Sequence, residues 1–350
     1  MILGDTVRFS AYTVGAGAMD ALAKALAGRR VAIVTGEKSW AAAEGRMPPL
    51  DRCALLRYGG ECTMAAIADT AAKAQAAGAD AVLGVGGGKA LDVAKGAAAR
   101  LGLLVYAVPT IAATCAAVTA LSVVYHEDGA LDQFLLLDRP PEQAFLDTEL
   151  LARAPARYFR AGLADAMAKH LECTLAQRGQ AVRYVSGLGA DISRSIFTPL
   201  LQTGAQAYRD CQAGQATDAL ADALQRMIVS VGMTSLLVDE AHNGAVAHSV
   251  CYGLGALPGV EGRVLHGELV GYGCLVQLAL DQDMERLSAL RAFLQAIGSP
   301  VSLKEMAIPA DAEALTPALR ATLAGPDMET LPYPVDEAML LAAMAVVEAQ

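Results

Sequence analysis

No two cysteines in this 350-residue chain form a Cys-x-x-Cys pair. The seven present, Cys53, Cys62, Cys115, Cys173, Cys211, Cys251 and Cys274, are odd in number and widely spaced. They read as free thiols in a reducing compartment, not as a disulfide framework. A basic excess is also missing: 27 Lys+Arg against 37 Asp+Glu leave a net charge of −10. That argues against a nucleic-acid partner or an acidic membrane surface. Gly or a charged residue interrupts every apolar run before about 18 residues, so no membrane-spanning segment is expected. The opening MILGDTVRFSAYTVG lacks a basic stretch followed by an apolar one, so no signal peptide is expected and the expected location is cytoplasmic. There is no low-complexity linker and no clear internal repeat.

Hydrophobic residues make up 54% of the chain, enough for a sizeable core in two domains or one large one. The first part alternates short apolar runs with helical patterns. Strands are expected within 6–14, at Val31 to Thr35, Leu55 to Tyr58, Ala81 to Val85 and Leu103 to Val108. Helices are expected after Gly15, with Met19, Leu22 and Leu26 facing inward, and over Met64 to Ala77. This alternation implies a parallel sheet covered by helices, with ligands at the carboxyl ends of the strands. Val123 to Tyr125 and Phe134 to Leu137, around Glu127-Asp128-Gly129, read as a β-hairpin. From Asp147 strand signals almost vanish. Helical patterns run over 148–153, 161–177, 182–209, 217–239, 245–254, 267–281, 284–297, 301–306, 311–324 and 335–348. The expected organisation is an α/β domain over 1–150 and an all-helical domain over 151–350.

Asp80 to Arg100, DAVLGVGGGKALDVAKGAAAR, is a strand, a tight turn and a helix start. Gly86, Gly87 and Gly88 allow a ligand close to the backbone, and the helix N-terminus favours phosphate. Lys89 adds a cation. The pattern is neither Gly-x-Gly-x-x-Gly, because Lys89 stands at the third glycine, nor a Walker loop, because Leu83 stands at its first glycine.

In the helical part, Asp165, His248 and His266 each sit among apolar or small neighbours. A carboxylate and two imidazoles in such surroundings are costly unless paired or metal-bound. Together they make a ligand set for catalytic Zn²⁺, or alternatively Fe²⁺, with positions left for water or substrate. Taken singly, each also suits a cap, a satisfied core group or a surface residue. His170 and His242 are rivals on the same pattern, and His126 in the hairpin is expected to face solvent.

The segments GVGGGKALDVAK, VPTIAATCAAVTALSVVY, AGLADAMAKHLE, AVAHSVCYGLGAL and LHGELVGYGCLVQL, in that order, resemble the glycerol dehydrogenase branch of the metal-dependent, iron-containing alcohol dehydrogenases. PTIAATCAA is closer to the hydroxycarboxylate dehydrogenase A type. The resemblance covers roughly residues 5–280. It implies a dinucleotide-binding α/β domain, a helical domain and a cleft between them. It implies metal ligands at Asp165, His248 and His266, usually Zn²⁺, and pyrophosphate on Gly86, Gly87, Gly88 and Lys89. It places Thr110, Thr119, Leu121 and Tyr125 around the nicotinamide. The implied protein is a homo-oligomer acting on a small molecule.

Several positions depart from that family pattern. Iron-type members carry a His where Lys169 stands, with His170 one residue off, which favours a three-ligand zinc form. Cys115 replaces an Asp that helps glycerol dehydrogenases hold the polyol. Cys251 replaces a second His. Near Gly36, where an acid grips the adenosine ribose, the run is Thr35-Gly36-Glu37-Lys38. Glu37 suits NAD and Lys38 suits a 2′-phosphate, so NAD and NADP both stay open. The expected reaction is metal-assisted hydride transfer between a nicotinamide and a small 2-oxo or 2-hydroxy acid, with Cys115 in the active site. The alternatives are a glycerol, polyol or alcohol dehydrogenase, a dehydroquinate synthase-like cyclase, and a non-catalytic relative. Only Lys169 and Arg263 lie near the ligand motifs to serve a cyclase's phosphate.

Overall fold

The computed structural model describes residues 6–260 and 262–350. The chain forms two compact units, one of residues up to 156 together with 209–236, the other of 157–208 and 237–350.

The first unit contains the sheet. Its strands are β1 (Ala11–Val14), β2 (Val31–Thr35), β3 (Cys53–Arg57), β4 (Ala81–Gly86), β5 (Leu104–Pro109) and, after a hairpin of β6 (Leu121–Tyr125) and β7 (Leu131–Leu136), β8 (Gln143–Leu146). The sheet order is β1-β8-β5-β4-β2-β3, and its pairings are parallel. The hairpin is a separate antiparallel pair. Helices α1 (Ala18–Ala25), α2 (Glu37–Ala43), α3 (Met64–Ala76) and α4 (Gly88–Leu101) alternate with the strands, and α5 (Thr148–Ala152) follows β8.

Both faces of the central strands are buried, which explains their unbroken apolar runs. Ile33, Leu83, Val85 and Tyr106 point into one core with Met19 and Leu22 of α1 and with Leu26 just after it. Val34, Val82 and Val105 point into the other with Ile67 of α3 and Val93 and Ala94 of α4. Local signals set the ends: Thr63 caps α3 by accepting from the Ala66 amide at 3.0 Å. Gly102 closes α4 with φ of +67°, a conformation a side chain disfavours.

The second unit is helical. It holds most of α6 (Ala156–Ala176), then α7 (Tyr184–Ser193) and the start of α8 (Phe197–Gln212). Helices α9 (Asp218–Leu224) and α10 (Val231–Leu237) belong largely to the first unit. Then α11 (Val246–Gly255), α12 (His266–Leu280), α13 (Met284–Ala296), α14 (Ala312–Leu323) and α15 (Glu337–Glu348) complete the second.

Four expectations are corrected. A single domain boundary near 150 is wrong, because 209–236 packs with the first unit. At Gly232 a Cβ would lie 2.2 Å from Val118 Cγ2, a contact that only a side-chain-free residue permits. The helix expected over 182–209 breaks at 194–196, where the Arg194, Ser195 and Ile196 amides bond three residues back at 3.2, 2.9 and 2.9 Å. The helix expected over 217–239 is interrupted by a wider π-type turn at Gln225–Ser230. No helix forms over 301–306. There the Val301 and Leu303 amides donate to the Glu305 and Glu348 carboxylates at 2.7 and 3.0 Å, which satisfies them outside helical geometry. Strand β8 went unread: only four residues long, it follows two prolines.

The second unit depends on glycines in α12. A Cβ on Gly267 would sit 1.9 Å from the Ala161 carbonyl oxygen of α6, and one on Gly273 would sit 2.3 Å from the Ala247 carbonyl oxygen of α11. Backbone atoms cannot swing aside, so Gly273→Val must push α11 and α12 apart. We expect a loss of about 3 kcal/mol or more in unfolding free energy. An unchanged denaturation midpoint contradicts this packing.

Candidate metal centre and dinucleotide cradle

Three tightly packed helices each bring one polar side chain to a common point. Asp165 lies within α6, His248 in the first turn of α11, and His266 opens α12. His248 Nε2 and His266 Nε2 each lie 3.5 Å from Asp165 Oδ1. One ligand atom from each residue falls within 4.8 Å of the others, the one such cluster of three found among the described residues. At 3.5 Å neither imidazole makes a good hydrogen bond, since N–H···O bonds run to about 3.2 Å. Asp165 Oδ1 is accordingly buried with no hydrogen-bond partner. Ligands at about 2.1 Å from a tetrahedral ion stand about 3.4 Å apart. The spacing and the orphaned oxygen therefore fit a divalent cation better than a hydrogen-bonded triad.

The electrostatics agree. Burial opposes charge on Asp165, yet the two imidazoles hold its carboxyl below the usual carboxylate range. Burial likewise opposes charge on His248, but Glu172 and Asp165 outweigh it and push its pKa up to about 10. The same negative surroundings that draw protons to the imidazoles would draw a divalent cation, which has to displace the Nε2 protons to bind.

A surrounding shell orients the ligands. His248 Nδ1–H donates to Glu172 Oε2 at 2.5 Å. A carboxylate only accepts, so this bond keeps a proton on Nδ1 and turns Nε2 toward Asp165. Glu172, fully buried, also accepts from the Ala245 and His248 amides at 2.9 and 2.8 Å. His266 Nδ1 meets Cys251 Sγ at 3.4 Å. Glu268 accepts from the Leu265 amide at 3.0 Å and pairs with Arg160, which joins the start of α12 to α6.

The rivals lie elsewhere. His170 bonds Ser193 Oγ at 2.8 Å. His242 lies outside the cluster, and His126 is exposed beside Asp132. Lys169 donates to the Asn243 carbonyl and side-chain oxygens, both at 2.9 Å. Sequence reasoning missed Glu172. Its signal was an acid seven residues after Asp165 on an apolar helix, a spacing that shares one face.

The glycine turn lies at the carboxyl end of β4. Gly87 precedes α4 and offers no side-chain cap, so the first-turn amides have no intrahelical partner. A Cβ on Gly86 would lie 2.6 Å from Ala90 Cβ, and one on Gly87 would lie 2.8 Å from Ile111 Cδ1. These glycines form a cradle that side chains would fill, as close phosphate approach requires. The Thr110 amide donates to the Gly86 carbonyl at 3.0 Å. Lys89 pairs with Glu61 at 2.6 Å and lies 5.0 Å from the Tyr125 ring centroid. Buried Lys95, paired with Asp92 at 2.8 Å, donates to Thr119 and to the Leu121 carbonyl. Asp92 accepts from the Val123 amide at 3.2 Å. This pair, unread in the sequence, ties the 119–123 segment to α4. Thr110 and Tyr125 thus lie beside the glycine turn and Lys89 at the start of α4, whereas Thr119 and Leu121 meet Lys95 two turns further along it. Cys115, partly buried, lies in the loop between β5 and β6, where its carbonyl accepts from the Val118 amide at 3.0 Å.

A helical unit with a carboxylate–imidazole cluster and an α/β unit with a glycine turn at a helix N-terminus match the pattern of metal-dependent, nucleotide-linked enzymes. Known proteins make that class specific. A family model for iron-containing alcohol dehydrogenases matches residues 10–148. Hydroxycarboxylate dehydrogenase A of Escherichia coli K12 is 36% identical over 285 residues, covering 80% of this chain and 78% of that protein. Glycerol dehydrogenase of E. coli O6:H1 is 35% identical over 262 residues, covering 73% and 70%. The crystal structure of a probable glycerol dehydrogenase from Sinorhizobium meliloti 1021 superposes with a TM-score of 0.88 at 28% identity, covering 99% of both chains. The chain belongs to the iron-containing alcohol dehydrogenase family and is an oxidoreductase of that family. No described helix is long and apolar enough to cross a membrane.

The orienting role of Glu172 predicts that Glu172→Gln weakens divalent-metal binding roughly 10- to 100-fold with the fold retained. Chelator competition followed by zinc and iron analysis measures it, and unchanged affinity contradicts the role.

Proposed function

We propose that this protein transfers hydride between a nicotinamide dinucleotide and a small 2-oxo or 2-hydroxy acid, with Asp165, His248 and His266 holding a divalent metal. The observation that carries this reading is the orphaned Asp165 Oδ1 with an imidazole nitrogen 3.5 Å away on either side. When bound, the two absent groups supply Lewis acidity toward the substrate oxygen and hydride exchange at nicotinamide C4. The protein's own contribution is placement. Glu172 and Cys251 orient the imidazoles, and Arg160 with Glu268 secures the turn that presents His266. The glycine turn would take the pyrophosphate and Lys89 would add charge beside it. Thr110, Thr119, Leu121 and Tyr125 would border the nicotinamide, with Lys95 and Asp92 fixing the segment that carries Thr119 and Leu121.

Zn²⁺ is the favoured ion. Three protein ligands with an open position are the usual catalytic zinc arrangement. Lys169, where a fourth imidazole would stand, is a cation already engaged with Asn243. Fe²⁺ is the alternative. Dialysis against a chelator should abolish turnover, and reconstitution with each ion should restore it. Higher activity with Fe²⁺ than with Zn²⁺ overturns the zinc assignment.

The acid substrate class rests on Cys115. A carboxylate side chain there would repel a 2-oxo acid by about 4 kcal/mol at about 4 Å and an effective dielectric near 20. A neutral thiol removes that repulsion and offers a weak donor. Oxidation of glycerol or another polyol is the second reading, supported by the glycerol dehydrogenase relatives. Rates with pyruvate-sized 2-oxo acids and with glycerol should favour the acids, and Cys115→Asp should move preference toward vicinal diols. Wild type preferring glycerol, or Cys115→Asp leaving the oxo-acid rate unchanged, contradicts this substrate class.

A further inference from the structure

The carboxyl ends of β2 and β3 lie beside the glycine turn. β2 pairs with β4 on one side and β3 on the other, with Thr35 opposite Arg57. Ser39, just past β2, is close to the turn: its Oγ lies 3.1 Å from where a Cβ on Gly86 would stand. Arg57 Nη1 donates to the Gly36 carbonyl at 2.8 Å. Among the described residues no carboxylate pairs with Arg57 or with Lys38. Glu61, the nearby acid, is engaged by Lys89 at 2.6 Å. Gly36 presents no side chain, so the residue directly after β2 offers no carboxylate.

In parallel dinucleotide-binding sheets, the strand beside the phosphate turn ends at the adenosine ribose. An acid there accepts from the 2′-hydroxyl of NAD, whereas an arginine accommodates the 2′-phosphate of NADP. This chain has glycine at the strand end, two cations at Lys38 and Arg57, a hydroxyl at Ser39 and one exposed acid at Glu37. We propose that Arg57, with Lys38 and Ser39, holds the 2′-phosphate of NADP and makes this enzyme prefer NADP over NAD. The planar guanidinium is suited to phosphate oxygens. Its bond to Gly36 holds it over the strand end, whatever its other donors meet. The inference rests on the dinucleotide reading above and adds the recognition of one phosphate group.

Adenosine 2′,5′-bisphosphate and AMP separate the claim from catalysis, because neither needs metal or substrate. Calorimetry should show wild type binding the bisphosphate at least about tenfold more tightly than AMP, as expected for a charge-assisted contact. Arg57→Ala should erase most of that ratio and Arg57→Glu should reverse it. Arg57 is exposed on an edge strand, so these variants should fold, which circular dichroism verifies. The kcat/KM ratio of NADP to NAD should fall in the same order. Equal binding of the two nucleotides by wild type, a kinetic preference for NAD, or an unaltered ratio in Arg57→Ala overturns the proposal. If neither nucleotide nor dinucleotide binds, the cradle assignment itself fails and the selectivity fails with it.

Discussion

The candidate metal centre depends on how closely α12 lies against α6 and α11. Side chains normally keep helix axes 8–10 Å apart. At Gly267 and Gly273 the backbone of α12 instead touches the Ala161 and Ala247 carbonyls, leaving no room for a methyl group. That approach lets three short side chains on three helices reach one point. Asp165 and His248 sit on α6 and α11, the two helices that α12 touches through these glycines, and His266 sits at the end of α12 itself. Given that geometry, a partly buried carboxylate with an unbonded oxygen faces two imidazole nitrogens at 3.5 Å, an arrangement that favours positive charge beside it.

The first unit meets a different constraint with the same residue type. At Gly86 and Gly87 the missing Cβ leaves space at the mouth of a helix. At Gly84 a Cβ would lie 2.9 Å from Ala94 Cβ, so the glycine seats α4 on the sheet. Buried Lys95 and Asp92 then reach from α4 into the segment before the hairpin. Such a pair is costly to bury unless every donor and acceptor is used. Here Lys95 Nζ has its three hydrogens shared among two carbonyls, the Thr119 hydroxyl and the paired Asp92, while Asp92 Oδ1 has no hydrogen bond of its own. Lys95 makes the loop leading to β6 part of the rigid frame of α4.

Much of this was legible in the sequence. Apolar runs bounded by glycine marked β2 and β4 because both of their faces are buried. The triple glycine before a helical pattern marked the cradle, and Asp165, His248 and His266 stood out as polar residues on apolar helices. The outer supports were harder to read. Cys251 and Glu172 act through other side chains, and a buried Glu on a helix reads as an ordinary surface acid until its partners are known. Arg57 lies on an exposed edge strand whose alternation shows nothing of the neighbouring strand end. Strand β8 was too short for periodicity to register, and only its place between β1 and β5 reveals its role. The return of 209–236 to the first unit depends on Gly232 meeting Val118, a contact across more than a hundred residues that no local pattern encodes.

The central claim is that Asp165, His248 and His266 form one metal site. Anomalous diffraction from crystals grown with Zn²⁺, recorded on both sides of the zinc absorption edge, tests it most directly. The account predicts one strong peak per chain within bonding distance of Asp165 Oδ1, His248 Nε2 and His266 Nε2. A peak at other residues, or none at these three atoms under saturating Zn²⁺, would contradict it.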